Sequence, residues 1–353
     1  MKTLVTPMLL IATTFSSSVI AQSAPSVWDY FTSLTVEENG IGARPAGSYK
    51  ERVAAKWIEQ QWQSLGFDVE KQSFDFELRG NTLTSQNLII DIKGERPEII
   101  IVGAHYDSTG EKFGSLGAID NASGMAALLA LSAKIAKKPL PYSVRLIAFG
   151  AEEVGLQGAK AYVKHEFDDR DKAIAMINLD TIIGGDKLYV HSAHTTPYDC
   201  KSVPNVTFNS ETVVRDALRS VSVKHFGAEA HLLHPANDEY PEGVTGSWSD
   251  HAPFACAGIP IAYLEATNFD IDGRQGKDGY SQTTTPELWN CYDTQQSSAC
   301  ERKKEFKWGM IWHTQFDRVD ALQAVMPGRL TEQLSQNVKV LTEFVENADT
   351  YLN

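Results

Sequence analysis

The chain has 353 residues, 42% of them hydrophobic, a length and composition that suit one sizeable, well-packed α/β domain. Lysine and arginine number 32 against 45 aspartate and glutamate residues, which gives a formal net charge of −13. Because this acidic balance disfavours nucleic-acid phosphates and anionic membranes, neither is expected as a partner.

The first 21 residues have the pattern of a signal peptide. A positively charged start leads into a mostly apolar run over residues 4–20, and small residues offer a cleavage site before Gln22. Thr and Ser interrupt the run, so an uncleaved membrane anchor is the less favoured alternative. We therefore expect residues 1–21 to be removed and residues 22–353 to form one exported domain, in the periplasm or the medium.

Helical and extended patterns follow in turn along the first part of this domain. After a short helix and a glycine-rich loop, residues 48–65 predict an amphipathic helix, and Gly66 stands where a C-cap glycine belongs. Residues 67–69 and 74–76 alternate as half-buried strands do, and residues 88–92 predict another strand.

Acidic and imidazole side chains then follow two predicted strands. Residues 99–102 and 144–149 are short apolar runs typical of strands buried on both faces. His105 comes after the first run, and Glu152 and Glu153 come after the second. Ligands of open α/β sheets bind at the carboxyl ends of the strands, so these side chains predict a binding site.

Two more carboxylates extend this pattern. Asp120 precedes an apolar segment, residues 125–136, that predicts a helix. Residues 173–180 predict a third buried strand that finishes on Asp180. The same edge of the sheet is therefore expected to collect four acidic positions and one histidine.

The rest of the chain contains further helices and strands around one long irregular region, residues 266–307. Helices are predicted at residues 159–166, 212–221 and 328–347, and strands at residues 188–190 and 259–264, the latter ending at Glu265. Loops as long as the irregular region are usually functional or held by a cross-link.

Four cysteines in an exported chain predict disulfide bonds. Cys291 and Cys300 bracket a polar loop and form the first predicted pair. Cys200 and Cys256 then pair by elimination, although Cys256 lies in an apolar stretch and could instead be a buried free thiol.

Five side chains are the hard nitrogen and oxygen ligands that suit a catalytic zinc. They are His105, Asp120, Glu153, Asp180 and His313. Five ligands are too many for one tetrahedral zinc, but they suit two ions about 3.5–4 Å apart that share a carboxylate. Asp120 is assigned as the bridge, one zinc takes His105 and Asp180, and the other takes Glu153 and His313.

Two neighbouring carboxylates are given supporting roles in hydrolysis. Glu152 precedes a ligand, so its side chain should point differently and act as the general base and acid. Asp107 lies two residues after His105, on the same side of an extended segment, and should accept a hydrogen bond from the other ring nitrogen.

All of these residues except His313 fall within four short motifs. The motifs are His105-x-Asp107, Asp120-Asn121-Ala122-Ser123-Gly124, Glu152-Glu153-x-Gly155-Leu156-x-Gly158 and Asn178-Leu179-Asp180. Together they resemble the two-zinc aminopeptidase family of the secreted bacterial leucyl aminopeptidases. Residues 178–189, 265–269 and 277–280 look closer still to one subgroup, the alkaline phosphatase isozyme conversion aminopeptidases.

The resemblance implies an exported zinc exopeptidase that removes N-terminal residues from peptides or proteins, expected as a monomer. Its fold would be a mixed, mostly parallel sheet of about eight strands between helices. It also implies a non-proline cis peptide after the bridging aspartate, at Asp120–Asn121. His313 matches the family pattern loosely, and His251 in Ser249-Asp250-His251 is its competitor, although the family places that histidine near the substrate without binding metal.

A group of acidic residues close to Ser249-Asp250-His251 suggests a preference for the first residue of the substrate. Asp238, Glu239, Glu242 and Asp250 are hypothesised to attract a basic first residue such as Arg or Lys, with His251 beside them. A solvated acidic loop is the alternative interpretation.

Three other functions stay open. A carboxypeptidase on this fold would need an arginine for the substrate carboxylate, and Arg274 and Arg318 are the candidates. A one-zinc glutaminyl cyclase is disfavoured by the Glu152-Glu153 pair and by Asp120-Asn121. A non-catalytic binding ectodomain is disfavoured because such relatives lose ligands.

Overall fold

The computed structural model describes residues 24–352, apart from residues 37, 39, 111–113, 166–171, 238, 239 and 275. The predicted signal peptide therefore lies outside the described residues. The strands are β1 Glu70–Leu78, β2 Asn81–Ile92, β3 Arg96–His105, β4 Tyr142–Phe149, β5 Ala173–Leu179, β6 Lys187–Ala193, β7 Val244–Thr245, β8 Ile261–Thr267, β9 Tyr292–Asp293 and β10 Ser298–Ala299. The helices are α1 Val27–Thr35, α2 Tyr49–Ser64, α3 Ser123–Ile135, α4 Gln157–His165, α5 Val213–Phe226, α6 His251–Cys256, α7 Val319–Val325, α8 Arg329–Glu346 and α9 Ala348–Tyr351.

Eight of these strands form one mixed sheet in the order β1-β2-β4-β3-β5-β8-β6-β7. The central strands β4, β3, β5 and β8 are parallel, while β1, β2 and β6 join them by antiparallel pairs. The predicted fold class, a mixed and mostly parallel sheet between helices, is confirmed.

Each face of the sheet is buried against its own set of helices. On one face, Ile100 and Val102 of β3 belong to the core that includes α1, α2, α3, α5 and α8. On the other face, Ile99 and Ile101 pack with residues of α4 and α6. Because successive strand residues point to opposite faces, this two-sided burial explains the unbroken apolar run in β3.

Several elements differ from the predictions. Residues 67–69 precede β1, which begins at Glu70. The strand predicted over residues 88–92 covers only the inner end of β2, because the outer half of β2, paired with β1, is largely exposed and carries polar residues. Helix α6 was not predicted, since it has six residues and contains Pro253.

Both predicted disulfides are present, Cys200–Cys256 and Cys291–Cys300, each with a Cα–Cα distance of 5.5 Å. Cys256 is therefore paired rather than a free thiol. Among the described residues, no helix combines the length and the apolar character needed to cross a membrane.

A buried histidine links α5 to α8. Ser222 Oγ lies 2.7 Å from Nδ1 of His231, and Nε2 of the same ring lies 3.1 Å from Asn337 Oδ1. The amide nitrogen of Asn337 donates to the carbonyls of Ile182 and Gln333, so its oxygen is left to accept from His231. The ring is thus satisfied in its neutral form, and burial lowers its pKa to about 4.

This histidine should make the folded protein sensitive to acid. Below pH 6.5 the unfolded chain binds a proton at this ring, whereas the folded chain does so only near pH 4, so stability is lost as the pH falls through this window. Each pKa unit corresponds to about 1.4 kcal/mol, so His231 should account for about 3 kcal/mol of that loss. We expect His231→Gln to show a shallower fall in the free energy of unfolding between pH 6.5 and pH 4 than the wild type.

Urea unfolding at a series of pH values would measure this difference. His165→Gln, at an exposed position near the end of α4, is the matched control and should keep the wild-type slope. Equal slopes in the wild type and His231→Gln would contradict the assignment.

Candidate metal centre

The carboxyl ends of three adjacent parallel strands supply most of the predicted site. His105 is the last residue of β3, and Asp180 directly follows β5. Glu152 and Glu153 lie in the turn after β4, which pairs with β3. The parallel register of these strands brings all four side chains to one edge of the sheet.

Asp120 enters from the turn that leads into α3. Residues Ala118–Ala122 form this turn, and Asp120 and Asn121 within it have non-helical backbone angles. The peptide bond between them is cis, as the family resemblance implied. Asn121 donates through Nδ2 to the carbonyl of Leu179 and accepts from the N–H of Gly124, so it ties the start of α3 to the end of β5.

The two oxygens of Asp120 face two different histidines. His105 Nε2 lies 3.2 Å from Asp120 Oδ1 and 3.4 Å from Asp180 Oδ1. His313 Nε2 lies 3.0 Å from Asp120 Oδ2 and 2.9 Å from Glu153 Oε2. The five predicted ligands therefore meet as two groups that share Asp120.

The unsatisfied polar atoms of this cluster fit bound metal. Among the described residues, both ring nitrogens of His105, Glu153 Oε1 and Asp180 Oδ1 are buried without a hydrogen-bond partner. Donor atoms of Asp120, Glu153 and His313 lie within 4.8 Å of one another, as do those of His105, Glu152 and Asp180. Buried, unpaired imidazoles and carboxylates in such number need divalent cations to balance them, and nitrogen and oxygen donors of this kind suit zinc.

Asp107 connects His105 to the glutamate turn. Its Oδ1 lies 3.5 Å from His105 Nδ1. The same carboxylate accepts the backbone N–H groups of Glu152 and Glu153, at 3.0 and 3.2 Å. Asp107 therefore lies beside the imidazole without the predicted hydrogen bond to Nδ1, and it fixes the turn that carries Glu152 and Glu153.

The charges within the cluster shift its pKa values in opposite directions. Burial raises the pKa of Glu153 to about 7, and the neighbouring Asp120 adds to this effect. Burial also acts to raise the pKa of Asp120, but the close contacts with His105 and His313 hold it below its ordinary range. Burial raises the pKa of Glu152 well above its ordinary range, and the charge of His105 only partly opposes this.

Three residues that the sequence did not single out support the site. Ser249 donates to Asp180 Oδ2 at 2.7 Å and accepts from Asn178 Nδ2. Asp317 accepts from Ser115 and from the N–H of Ile119, next to Asp120. Neither Ser249 nor Asp317 belongs to an apolar run, and the role of each depends on contacts between distant parts of the chain.

The third supporting residue is Arg44, which is fully buried. Its guanidinium donates to carbonyl oxygens of Leu34, Gly42, Tyr106, Leu116 and Gly117. Burial lowers its pKa to about 10, opposed by the charges of Asp317 and Asp107. Arg44 thus joins the N-terminal segment to the loops after β3 and before Asp120.

The predicted specificity residues differ in burial where the structure describes them. Asp250 and His251 are fully buried, and His251 Nε2 lies 2.7 Å from the carbonyl of Gly246. Both oxygens of Asp250 lack a hydrogen-bond partner among the described residues. Glu242 is exposed, and Asp238 and Glu239 lie outside the described residues. His313, rather than His251, is the histidine placed beside Asp120 and Glu153.

Comparison with known proteins adds independent information. The model of peptidase family M28 matches residues 87–338. The alkaline phosphatase isozyme conversion protein of Escherichia coli is 28% identical over 325 residues, which cover 86% of this chain and 85% of that protein.

Similarity to Bacillus subtilis aminopeptidases is found in both sequence and structure. Aminopeptidase YwaD is 45% identical over 189 residues, which cover 51% of this chain and 35% of that protein. The structure of the zinc aminopeptidase BSAP superposes with a TM-score of 0.61 and 18% identity, covering 92% of this chain and 97% of that one. At this identity the superposition shows a shared fold.

Proposed function

The chain belongs to peptidase family M28 and is a zinc-dependent aminopeptidase, and we propose that it is exported and uses two zinc ions with Glu152 as general base. The observation that carries the two-zinc proposal is the position of Asp120, whose two oxygens face His105 and His313 separately. A carboxylate placed between two ligand groups is the feature that a shared bridge requires.

We assign His105 and Asp180 to one zinc and Glu153 and His313 to the other, with Asp120 between them. When bound, the two ions supply Lewis acidity toward the scissile carbonyl and make water a nucleophile near neutral pH. Asp107 lies beside the His105 ring and holds the glutamate turn in place through the contacts described above.

Glu152 is the group that moves the proton. In this proposal its carboxylate takes a proton from the attacking water and delivers it to the leaving amine. Burial and the nearby charge of Asp250 raise its pKa, which suits a carboxylate that must hold a proton between the two steps. The surrounding carboxylates would also hold the free α-amine of the substrate, which restricts cleavage to N-terminal residues.

Export is proposed from the sequence of residues 1–21 and from the two disulfides, which form in oxidising compartments. The domain would then comprise residues 22–353 and act as a monomer on peptide or protein N-termini in the periplasm or the medium. The same proposal includes a preference for substrates whose N-terminal residue is basic.

Metal analysis and a small substrate panel test this function. The purified protein should hold two zinc ions per chain and should cleave Leu- and Arg-nitroanilide but not their N-acetylated forms. Equal cleavage of the acetylated forms would contradict the aminopeptidase mechanism. One zinc per chain with cyclisation of N-terminal glutamine would favour the cyclase, and neither zinc nor activity would favour a binding ectodomain.

A further inference from the structure

Glu51 is a buried carboxylate that the proposed mechanism does not use. It lies in the first turn of α2, three residues after the N-cap Ser48, and is 1% exposed. Burying a carboxylate is costly unless its oxygens accept hydrogen bonds. The donors that meet Glu51 are therefore a guide to its role.

Three donors from separate parts of the chain meet the carboxylate of Glu51. Oε2 accepts the N–H of Gly47 at 2.6 Å. Oε1 accepts the hydroxyl of Ser85 at 2.6 Å and the N–H of Ala151 at 3.2 Å. Gly47 precedes α2, Ser85 lies in β2, and Ala151 lies in the turn after β4. Glu51 therefore joins the start of α2 and strand β2 to the turn that carries the two site glutamates.

Ala151 has a backbone conformation that needs such support. Its φ is 55°, in the left-handed region that is unfavourable for residues with a side chain. The space beside the preceding Gly150 is closed, because a Cβ there would clash with Ser85 Oγ and the Tyr106 hydroxyl. The chain thus bends sharply between fixed neighbours, and the hydrogen bond from Ala151 to Glu51 stabilises the bend.

Three successive N–H groups of this turn donate to carboxylates. The N–H of Ala151 donates to Glu51, whereas the N–H groups of Glu152 and Glu153 donate to the two oxygens of Asp107. Successive backbone N–H groups next to a left-handed residue form a concave site for anions. The turn is therefore held from two sides, by Asp107 after β3 and by Glu51 in α2.

The position of the turn matters because it sends two neighbouring side chains to different places. A carboxylate oxygen of Glu152 lies in the group of donor atoms around His105, and one of Glu153 lies in the group around His313. Bound zinc would hold Glu153, its proposed ligand, whereas the backbone of the turn sets the place of Glu152. A misplacement of about 1 Å can lower the rate of an enzyme about a hundredfold.

We propose that Glu51 is a positioning residue for catalysis, which holds Glu152 in place for proton transfer through the N–H of Ala151 and the left-handed bend. This inference rests on the proposed role of Glu152 as general base. It extends the machinery of the reaction to α2 and β2, neither of which supplies a proposed ligand.

Steady-state kinetics of Glu51→Gln on Leu-nitroanilide test the proposal. Glutamine has the shape of glutamate, but one of its two polar atoms is an N–H donor, so it cannot accept hydrogen bonds at both positions as Glu51 does. We expect kcat to fall about tenfold to hundredfold, while KM changes by less than about threefold. Zinc content should stay at the wild-type value.

Glu59→Gln is the matched control on the same helix. Glu59 is 7% exposed and pairs with Lys56 of α2 and Lys71 of β1. Losing these pairs should lower the thermal unfolding temperature without changing kcat. An equal fall in kcat in Glu59→Gln would show that any weakening of α2 impairs the enzyme, and it would overturn the proposal.

A double-mutant cycle shows whether Glu51 acts through Glu152. Residues that act as a unit have non-additive effects, so Glu51→Gln should change the residual kcat of Glu152→Gln by less than about twofold. The same fractional loss in the wild type and in Glu152→Gln would show a general structural effect and contradict the proposal. Zinc loss in Glu51→Gln would place its effect on Glu153 and contradict it as well.

Two further results keep this inference separate from the function on which it rests. Wild-type activity in Glu152→Gln would overturn the general-base assignment, and this inference with it. An unchanged kcat in Glu51→Gln, together with an inactive Glu152→Gln, would overturn this inference alone.

Ser85→Ala provides the test if Glu51→Gln does not fold. It leaves Glu51 in place but removes one of the donors that fix its carboxylate. We expect a smaller fall in kcat than in Glu51→Gln, with zinc content unchanged. An unchanged kcat in Ser85→Ala would then overturn the proposal.

Discussion

Replacing Glu152 with glutamine should lower kcat by about a hundredfold to ten-thousandfold, the range that general acid–base catalysis contributes, while zinc content stays at the wild-type value. Glutamine keeps the size and the polarity of the side chain but cannot accept a proton from water. Its backbone N–H would still donate to Asp107, so the turn after β4 should keep its position.

The neighbouring residue provides a matched comparison. Glu153 is a proposed ligand, so Glu153→Gln should lose zinc as well as activity, whereas Glu152→Gln should lose activity alone. Steady-state kinetics with metal analysis on both variants would separate the two roles. This test is needed because a carboxylate oxygen of Glu152 lies within 4.8 Å of the donor atoms of His105 and Asp180. Zinc loss in Glu152→Gln would therefore identify it as a ligand and contradict the base assignment.

Replacing Asp120 with alanine should have a larger effect on metal binding than the loss of any other ligand. Both proposed zinc ions depend on this carboxylate, since its two oxygens face His105 and His313. Losing an outer partner of a metal ligand typically costs about 10–100-fold in affinity, and losing a shared ligand should cost more at both positions. We expect Asp120→Ala to hold less than one zinc per chain after dialysis and to have no measurable peptidase activity.

His313→Ala is the control for this prediction. It removes a ligand from one group only, so it should retain one zinc per chain on His105, Asp120 and Asp180. Thermal unfolding with and without added zinc gives a second measurement, because a bound ion stabilises the folded state. Retention of one zinc by Asp120→Ala, equal to His313→Ala, would mean that the aspartate serves a single ion.

The sequence was most informative where polar side chains able to bind metal follow a buried strand. Apolar runs identified β3, β4 and β5, and the polar residues that follow them, His105, Glu152 and Asp180, lie together in the structure. The strands could be recognised because a parallel strand is buried on both faces and therefore consists largely of apolar residues. The residues that follow them could be grouped because parallel strands end at the same edge of the sheet.

The same reasoning could not reach residues whose role depends on contacts between remote segments. Asp317 lies 198 positions from Ile119, whose N–H it accepts. Ser249 lies 69 positions from Asp180. Neither residue stands in a periodic pattern, so only the folded arrangement shows that they hold ligand-bearing loops. The strand predicted over residues 259–264 was expected to end at Glu265, whereas β8 spans Ile261–Thr267 and so continues past that residue.

The carbonyl contacts of Arg44 bear on how much of this chain is needed for a working enzyme. The part that matches the family model begins at residue 87, more than forty positions after Arg44. A fragment trimmed to the matched part would leave the carbonyl oxygens of Tyr106, Leu116 and Gly117 without their buried donor. We therefore expect the smallest unit able to fold around the metal centre to start upstream of Arg44.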